Sequence, residues 1–353
     1  MSAAATPAAG VSTGADPAAV GPYLARVLGD PAWASCTVAL ISGGKSNLTY
    51  LVTSPAGEVV LRRPPLAGGL PTAHDMVREH TVLAALWDTP VPVPRVRHLC
   101  RDESVLGVPF YVMDRARGHV IREELPPGYA DTPAQRVAIA DGLVDVLVEI
   151  HRVGVAGRLD GYGPPEGYLA RQVRRWTRQW EASREDDLPL LDRLAADLTA
   201  CLPEQRETTL VHGDYRLDNT VLDPATPGRV LAVLDWELST LGDPLADVGL
   251  LCVYWAAGRA GSSPPLVPGV TGLPGFPGRG EVVARYARRS GRDVSALPWY
   301  VAFGSFKLAV VAAGIAARHR VGGTVGEGFD TAAAAVSPLV DSGLRVLSTG
   351  TVD

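Results

Sequence analysis

Cysteine is scarce in this chain of 353 residues, with four spread at Cys36, Cys100, Cys201 and Cys252. None forms a CxxC or a Cys/His pair at metal spacing, which argues against a zinc site. Four distant thiols at this size also make no disulfide framework, so a reducing cytosol is expected. Long hydrophobic runs are missing as well: no apolar run reaches 18 residues, and the longest candidate, Leu308 to Ala317, reads as a buried helix segment. No membrane partner is expected. Positive charge is not in excess, with 33 Lys and Arg against 38 Asp and Glu and a net charge of −5. That balance argues against a generic nucleic-acid or polyanion binder. The 38 Gly and 29 Pro follow no three-residue period, which excludes collagen and points to many loops. The 46 % of apolar residues is average for a globular protein and is enough for a sizeable core.

Residues 1–20 lack a basic start and a long apolar stretch, and read as a flexible tail rather than a signal peptide. Three strands are expected next. Thr37–Ile41 and Leu48–Thr53 flank the turn Ser42-Gly43-Gly44-Lys45-Ser46-Asn47, and Glu58–Arg62 follows Ser54-Pro55-Ala56-Gly57. A helix is expected over about 73–87, and another strand at Val108–Met113. Beyond the hinge-like Asp114-Arg115-Ala116-Arg117-Gly118, helical periodicity dominates. Pro133–Val153 places Val137, Ala140, Val144, Leu147 and His151 on one face, and Tyr168–Ser183, Glu281–Ser290 and Trp299–His319 also read as helices. Leu210-Val211 and Val230–Leu234 are short β-like runs. The Gly- and Pro-rich stretch 258–280 reads as a long loop.

The strongest chemical signal is Val211-His212-Gly213-Asp214-Tyr215-Arg216-Leu217-Asp218-Asn219, followed by Val233-Leu234-Asp235-Trp236-Glu237. Phosphoryl transfer asks a protein to orient the attacking hydroxyl and to supply oxygen ligands for Mg²⁺ on the phosphates. Mg²⁺ takes few protein ligands and fills its shell with water and phosphate oxygens. One Asp for the hydroxyl, with an Asn and a second Asp for the metal, is the minimal set. Gly44-Lys45-Ser46 ends like a P-loop, but the required first glycine is Ala39, and Asn47–Val52 reads as strand rather than helix.

On these motifs the chain resembles the aminoglycoside and choline kinase branch of the protein-kinase-like phosphotransferases. Leu61-Arg62-Arg63, Arg78-Glu79 and Gly242-Asp243-Pro244-Leu245-Ala246-Asp247 fall in the family's order. The Gly-Gly-Lys-Ser-Asn turn, Leu234-Asp235-Trp236-Glu237 and the loop Leu273–Pro277 are most similar to the branch fused to acyl-CoA dehydrogenases. The resemblance implies an α+β, bilobal protein-kinase-like fold: a β-rich N-lobe with one main helix over 21–113, a hinge at 114–118, and an α-rich C-lobe over 119–353. It implies ATP in the cleft, with Mg²⁺ on Asn219 and Asp235 and with Asp214 as the catalytic carboxylate. Arg62 then holds the α- and β-phosphates and Glu79 pairs with it, although strand alternation alone lets either Arg62 or Arg63 face the nucleotide. Gly43, Gly44, Lys45 and Ser46 occupy the phosphate-covering turn, and Met113, Asp114, Arg115 and Ala116 line the adenine pocket. The Lys usual on the third strand is an Arg here, and Asp-Phe-Gly is replaced by Asp-Trp-Glu. No activation segment of the protein-kinase type is seen, which argues against a protein substrate. The expected acceptor is a small hydroxylated molecule. From residue 251 to the end, ten Lys and Arg stand against six Asp and Glu, which favours a neutral or anionic acceptor such as a hydroxy acid or hydroxyacyl-CoA. The alternatives are an aminoglycoside O-phosphotransferase and a pseudokinase that binds nucleotide without turnover. His212, Asp243, Asp247 and His151 are expected to be structural, and Arg171, Arg174, Arg175 and Arg178 a solvated helix face.

Overall fold

The computed structural model describes residues 14–42, 47–66, 75–184, 187–255, 267, 269–320 and 332–352. They fall into two compact units that divide between Arg117 and Gly118.

The first unit contains α1 (Pro17–Leu28), β1 (Thr37–Ser42), β2 (Leu48–Ser54), β3 (Gly57–Arg63), α2 (Met76–Leu86), β4 (Val96–Cys100), α3 (Glu103–Leu106) and β5 (Phe110–Asp114). The strands form one antiparallel sheet in the order β1-β2-β3-β5-β4. Its core joins Tyr50, Val52, Leu61, Phe110 and Val112 to Val20 and Leu24 of α1. This corrects the reading of residues 1–20 as a tail over its last four residues, because helix begins at Pro17, while residues 1–13 lie outside the described residues. Asp16 caps it by accepting from the Ala18 N–H, Pro17 takes the first turn, and Val20, Tyr23 and Leu24 bury at helical spacing. To the one expected main helix, α2, the fold therefore adds a second of similar length. The edge strand β4 was missed because only Cys100 of Val-Arg-His-Leu-Cys is buried, which leaves a weak pattern. Residues 43–46 lie outside the described residues.

Strand alternation separates Arg62 from Arg63. Arg62 points to α2, where its Nε donates to Glu79 Oε2 at 3.0 Å, with the two side chains 11 % and 1 % exposed. Arg63 points the other way and donates to the carbonyls of Pro64 and Gly14. Removing one partner of a buried ion pair strands the other charge, which costs about 3–5 kcal/mol. Glu79→Ala is accordingly expected to lower the urea midpoint of the whole chain, with Glu79→Gln losing less. An unchanged midpoint in both variants would show that the pair adds nothing to stability.

The second unit contains α4 (Pro133–Arg152), α5 (Tyr168–Ser183), α6 (Pro189–Ala200), β6 (Thr209–Val211), β7 (Thr220–Leu222), β8 (Val230–Val233), β9 (Thr240–Gly242), α7 (Leu245–Tyr254), α8 (Arg279–Ser290), α9 (Leu297–Arg320) and α10 (Ala332–Thr349). Two small antiparallel sheets, β6–β9 and β7–β8, sit among the helices. Helix α9 is the hub, packing on α5, α6, α7 and α10. It is long and apolar enough to cross a membrane, yet 89 % of its apolar window is buried inside the protein. Helix α4 starts with a reciprocal Thr132–Gln135 capping box. Its buried face runs through Ile139, Ala140, Leu143, Val144, Leu147 and His151, while Val137, expected on that face, is 40 % exposed. Helix α7 escaped the sequence reading because all ten of its residues are buried, so it has no polar face to set a period. The expected loop at 258–280 is tied down in its described part: Trp255 donates to the Pro277 carbonyl at 2.8 Å, and Arg279 to the Trp255 carbonyl at 2.9 Å.

Candidate active site

Two strand pairings bring the motif residues of the second unit together. The β6–β9 pairing sets Thr209 opposite Gly242, and α7 starts three residues later. Asp247, in the first turn of α7, therefore reaches the turn that follows β6. Its Oδ2 accepts from the His212 N–H and its Oδ1 from the Gly213 N–H, both at 2.7 Å, and Oδ2 also meets His151 Nε2 at 3.2 Å. The other ring nitrogen of His151 meets the Tyr286 hydroxyl at 2.8 Å. Gly213 cannot be replaced without strain. Its φ is +83°, and a Cβ there would lie 2.6 Å from the Leu238 carbonyl oxygen.

The β7–β8 pairing does the second part. Thr220 lies opposite Val233, and one step further the Leu234 N–H donates to the Asn219 carbonyl at 2.8 Å. Asp235 is the next residue. The Asn219 Nδ2 donates to the Asp214 carbonyl at 2.8 Å and to Asp214 Oδ2 at 3.0 Å. His212 links the two segments: its Nε2 meets the Leu234 carbonyl at 3.0 Å, while its Nδ1 accepts from the Asp214 N–H at 3.2 Å. An acceptor at Nδ1 and a carbonyl at Nε2 require the neutral, Nε2-protonated imidazole. Burial agrees, because it lowers the His212 pKa against the pull of Asp247 and Asp214. The indole of Trp236 packs over this ring at 4.6 Å between centres. Asp235 itself has φ +63°, a left-handed conformation that Asp tolerates better than most residues but that still marks local strain.

Asp214 is held from several sides. Its Oδ1 accepts from the Tyr254 hydroxyl at 2.9 Å, and its Oδ2 lies 3.4 Å from Arg216 Nε. Burial opposes ionisation, but Arg216, Lys307 and His212, with the Tyr254 hydrogen bond, outweigh it and hold the carboxyl below its usual range. The same Arg216 Nε lies 3.0 Å from Asp218 Oδ1, and the guanidinium stacks on the Tyr254 ring at 4.8 Å. Burial raises the Asp218 pKa against this pairing.

The structure thus brings Asp214, Asn219 and the backbone before Asp235 into one turn-and-hairpin cluster. Arg62 and Glu79 pair within the first unit. Met113 is buried in the sheet opposite Val60, Asp114 pairs with Arg97 at 2.6 Å, and Arg115 turns to Glu58 at 2.9 Å. Gly43, Gly44, Lys45 and Ser46 fall outside the described residues. Arg174, Arg175 and Arg178 are exposed, while Arg171 is only partly so and donates to the Pro164 carbonyl at 2.6 Å. Sequence reasoning missed Tyr254, Arg216 and Lys307. Nothing in the sequence ties Tyr254 to a residue 40 positions earlier. Lys307 had a usable signal, as one of only two lysines among 33 basic residues, set in an apolar helix.

Among the described residues, no group of three or more His, Cys, Asp and Glu could hold a metal alone. The cluster nonetheless suits a hard cation shared with a substrate. Asn219 spends its amide nitrogen on Asp214, and no hydrogen bond is made to its Oδ1 among the described residues, which leaves an oxygen donor, while Asp235 follows the Leu234 whose N–H binds the Asn219 carbonyl.

The family described as "Phosphotransferase enzyme family" matches residues 37–293. The chain belongs to this family. A mouse protein named acyl-CoA dehydrogenase family member 10 is 38 % identical over 307 residues, covering 85 % of this chain and 28 % of the mouse protein. The chain spans 28–41 % of the length of the acyl-CoA dehydrogenase family relatives it matches. A crystal structure from Ralstonia eutropha, named as a candidate aminoglycoside phosphotransferase, superposes with a TM-score of 0.79 at 34 % identity, covering 94 % of this chain and 98 % of that one. Aminoglycoside phosphotransferase APH(4)-Ia, solved with ADP and hygromycin B, matches at 16 % identity and a TM-score of 0.62, covering 94 % of this chain and 99 % of that one. At that identity it speaks for the fold alone. The fold is α+β and protein-kinase-like, with a β-rich N-terminal unit and an α-rich C-terminal unit.

Proposed function

We propose that this phosphotransferase moves the γ-phosphoryl group of ATP to a hydroxyl of a small neutral or anionic acceptor, a hydroxy acid or a hydroxyacyl-CoA. One observation carries the reading: the Asn219 amide nitrogen binds Asp214 while its backbone carbonyl binds the Leu234 N–H, so base and metal ligands share one frame. In this reading Asp214 receives or orients the acceptor hydroxyl proton, and Tyr254, on its other oxygen, sets the direction of the free lone pairs. Asn219 and Asp235 would hold Mg²⁺, which when bound neutralises charge on the phosphates. Arg62, braced by Glu79, holds the α- and β-phosphates, and the backbone of Met113–Ala116 receives adenine.

The acceptor class rests on charge and kinship. Arg216 lies against Asp214, and Lys307 acts electrostatically on it. Such surroundings suit an anion better than a polycationic aminoglycoside, and the relatives' names point to acyl-CoA chemistry. The test is ADP release from Mg-ATP in the presence of hydroxy acids, hydroxyacyl-CoA thioesters and aminoglycosides in parallel. Turnover with the first two classes is expected. Phosphorylation of aminoglycosides alone would reverse the acceptor assignment, and nucleotide binding without turnover in any arm would make the chain a pseudokinase.

A further inference from the structure

Helix α9 delivers a single cation to the back of the catalytic turn. Lys307 lies between Phe306 and Leu308, which are both buried, in a stretch of helix where Ser305 is the one other polar residue nearby. Its Nζ donates to the Gly213 carbonyl and sits 5.3 Å from the centre of the Trp176 ring on α5. An ammonium in such a place is costly unless it is paired. Asp214 and Asp247 face it with negative charge, and Arg175 and Arg216 with positive charge. Beside it is a cavity of about 20 Å³, lined by Tyr168, Gln172, Gly213, Asp247, Leu250 and Lys307. That is room for about one water molecule.

The atom that Lys307 holds is the decisive one. The Gly213 carbonyl belongs to the same peptide plane as the Asp214 N–H, which donates to His212 Nδ1. Asp247 fixes the two preceding N–H groups. Lys307 is the remaining restraint on this plane. Gly213, at positive φ and without a Cβ, gives the plane more freedom than any other residue would. A rotation there swings the Cα–Cβ bond of Asp214 and moves its carboxylate. We propose that Lys307 is a positioning residue for phosphoryl transfer, pinning the Gly213–Asp214 peptide plane so that the Asp214 carboxylate meets the acceptor hydroxyl. The inference rests on Asp214 being the catalytic carboxylate.

The test uses the whole chain with Lys307→Met, Lys307→Gln and Lys307→Arg. Met and Gln keep much of the side-chain length but remove the charge, while Arg restores a cationic donor and can place its extra atoms in the neighbouring cavity. Loss of alignment at a reacting group costs up to about 10²-fold. We expect kcat to fall by about 10- to 100-fold in the Met and Gln variants, with KM for Mg-ATP within about twofold of the parent. Arg should recover most of the loss. Amide exchange at Asp214 should quicken in the Met and Gln variants and return to the parental rate in the Arg variant. An active parent whose Met variant, which has no donor for the Gly213 carbonyl, keeps full kcat overturns the inference alone. So does a loss that Arg fails to restore in a folded chain, or an unchanged exchange rate at Asp214. A parent inactive with every acceptor overturns the reading on which the inference rests; exchange at Asp214, which needs no acceptor, still decides whether Lys307 pins the plane.

Discussion

Asp214→Ala is expected to lower the turnover number by roughly 10²–10⁴, the scale of a positioned acid or base. The side chain removed is the acceptor for both the Tyr254 hydroxyl and the Asn219 amide, so alanine also loosens a proposed metal ligand. Asp214→Asn separates the two effects. It keeps a carbonyl oxygen for one of those donors but cannot take a proton from an alcohol. The two variants should therefore lose similar amounts of kcat, while alanine alone raises the magnesium requirement. Phosphoryl transfer through a loose transition state asks less of a base than acyl transfer does, so the lower half of the range is the sharper expectation. ADP release under saturating Mg-ATP, with nucleotide affinity measured separately by calorimetry, checks the result. Near-normal turnover in Asp214→Asn would remove this residue from the chemistry.

The second large effect concerns Asp235. Its left-handed backbone complicates the choice of variant, since alanine at φ +63° adds strain of order 1–3 kcal/mol to the loss of a ligand. Asparagine tolerates that conformation nearly as well as aspartate. Asp235→Asn therefore removes one negative charge and little else. The half-saturating Mg²⁺ concentration is expected to rise by at least about 10- to 100-fold, the loss seen even when an outer-shell partner of a metal site is removed. Turnover should recover in part as magnesium is raised. A magnesium titration identical to that of the parent chain would exclude Asp235 as a ligand, whatever happens to kcat. Thermal unfolding of the same variant should be close to that of the parent, which keeps the metal effect apart from a folding effect.

Much of the fold was legible because its elements carry strong periods. Helix α5 was read from its start at Tyr168 to its end at Ser183, since Val173, Trp176 and Trp180 bury on one stripe while arginines fill the other face. The strands β1 to β3 are short β-rich runs separated by turn residues, so their pairing order followed from adjacency. Elements without such contrast were missed. Helix α7 is buried all round, α6 and α10 were left unassigned, and α1 was hidden behind a segment of low complexity.

The candidate site divides in the same way. Short spacing within the chain determined Asp214 and Asn219, because five residues of one turn can only remain close together. That Asp235 sits beside them is a property of the β7–β8 register, and pairing partners cannot be counted along a single sequence. The choice of Arg62 over Arg63 for Glu79 also waited for the fold, since an alternating strand offers both faces until a helix packs on one of them. Tyr254 and Lys307 lie 40 and 93 residues beyond Asp214, and although a lone lysine in an apolar helix is a signal, nothing along the chain says which turn it meets. The chain by itself pointed to a family and to a set of candidate residues. Long-range packing of α7 and α9 decided which further side chains hold it in place, because a hydrogen bond across such a distance exists only after the core has brought its two ends together.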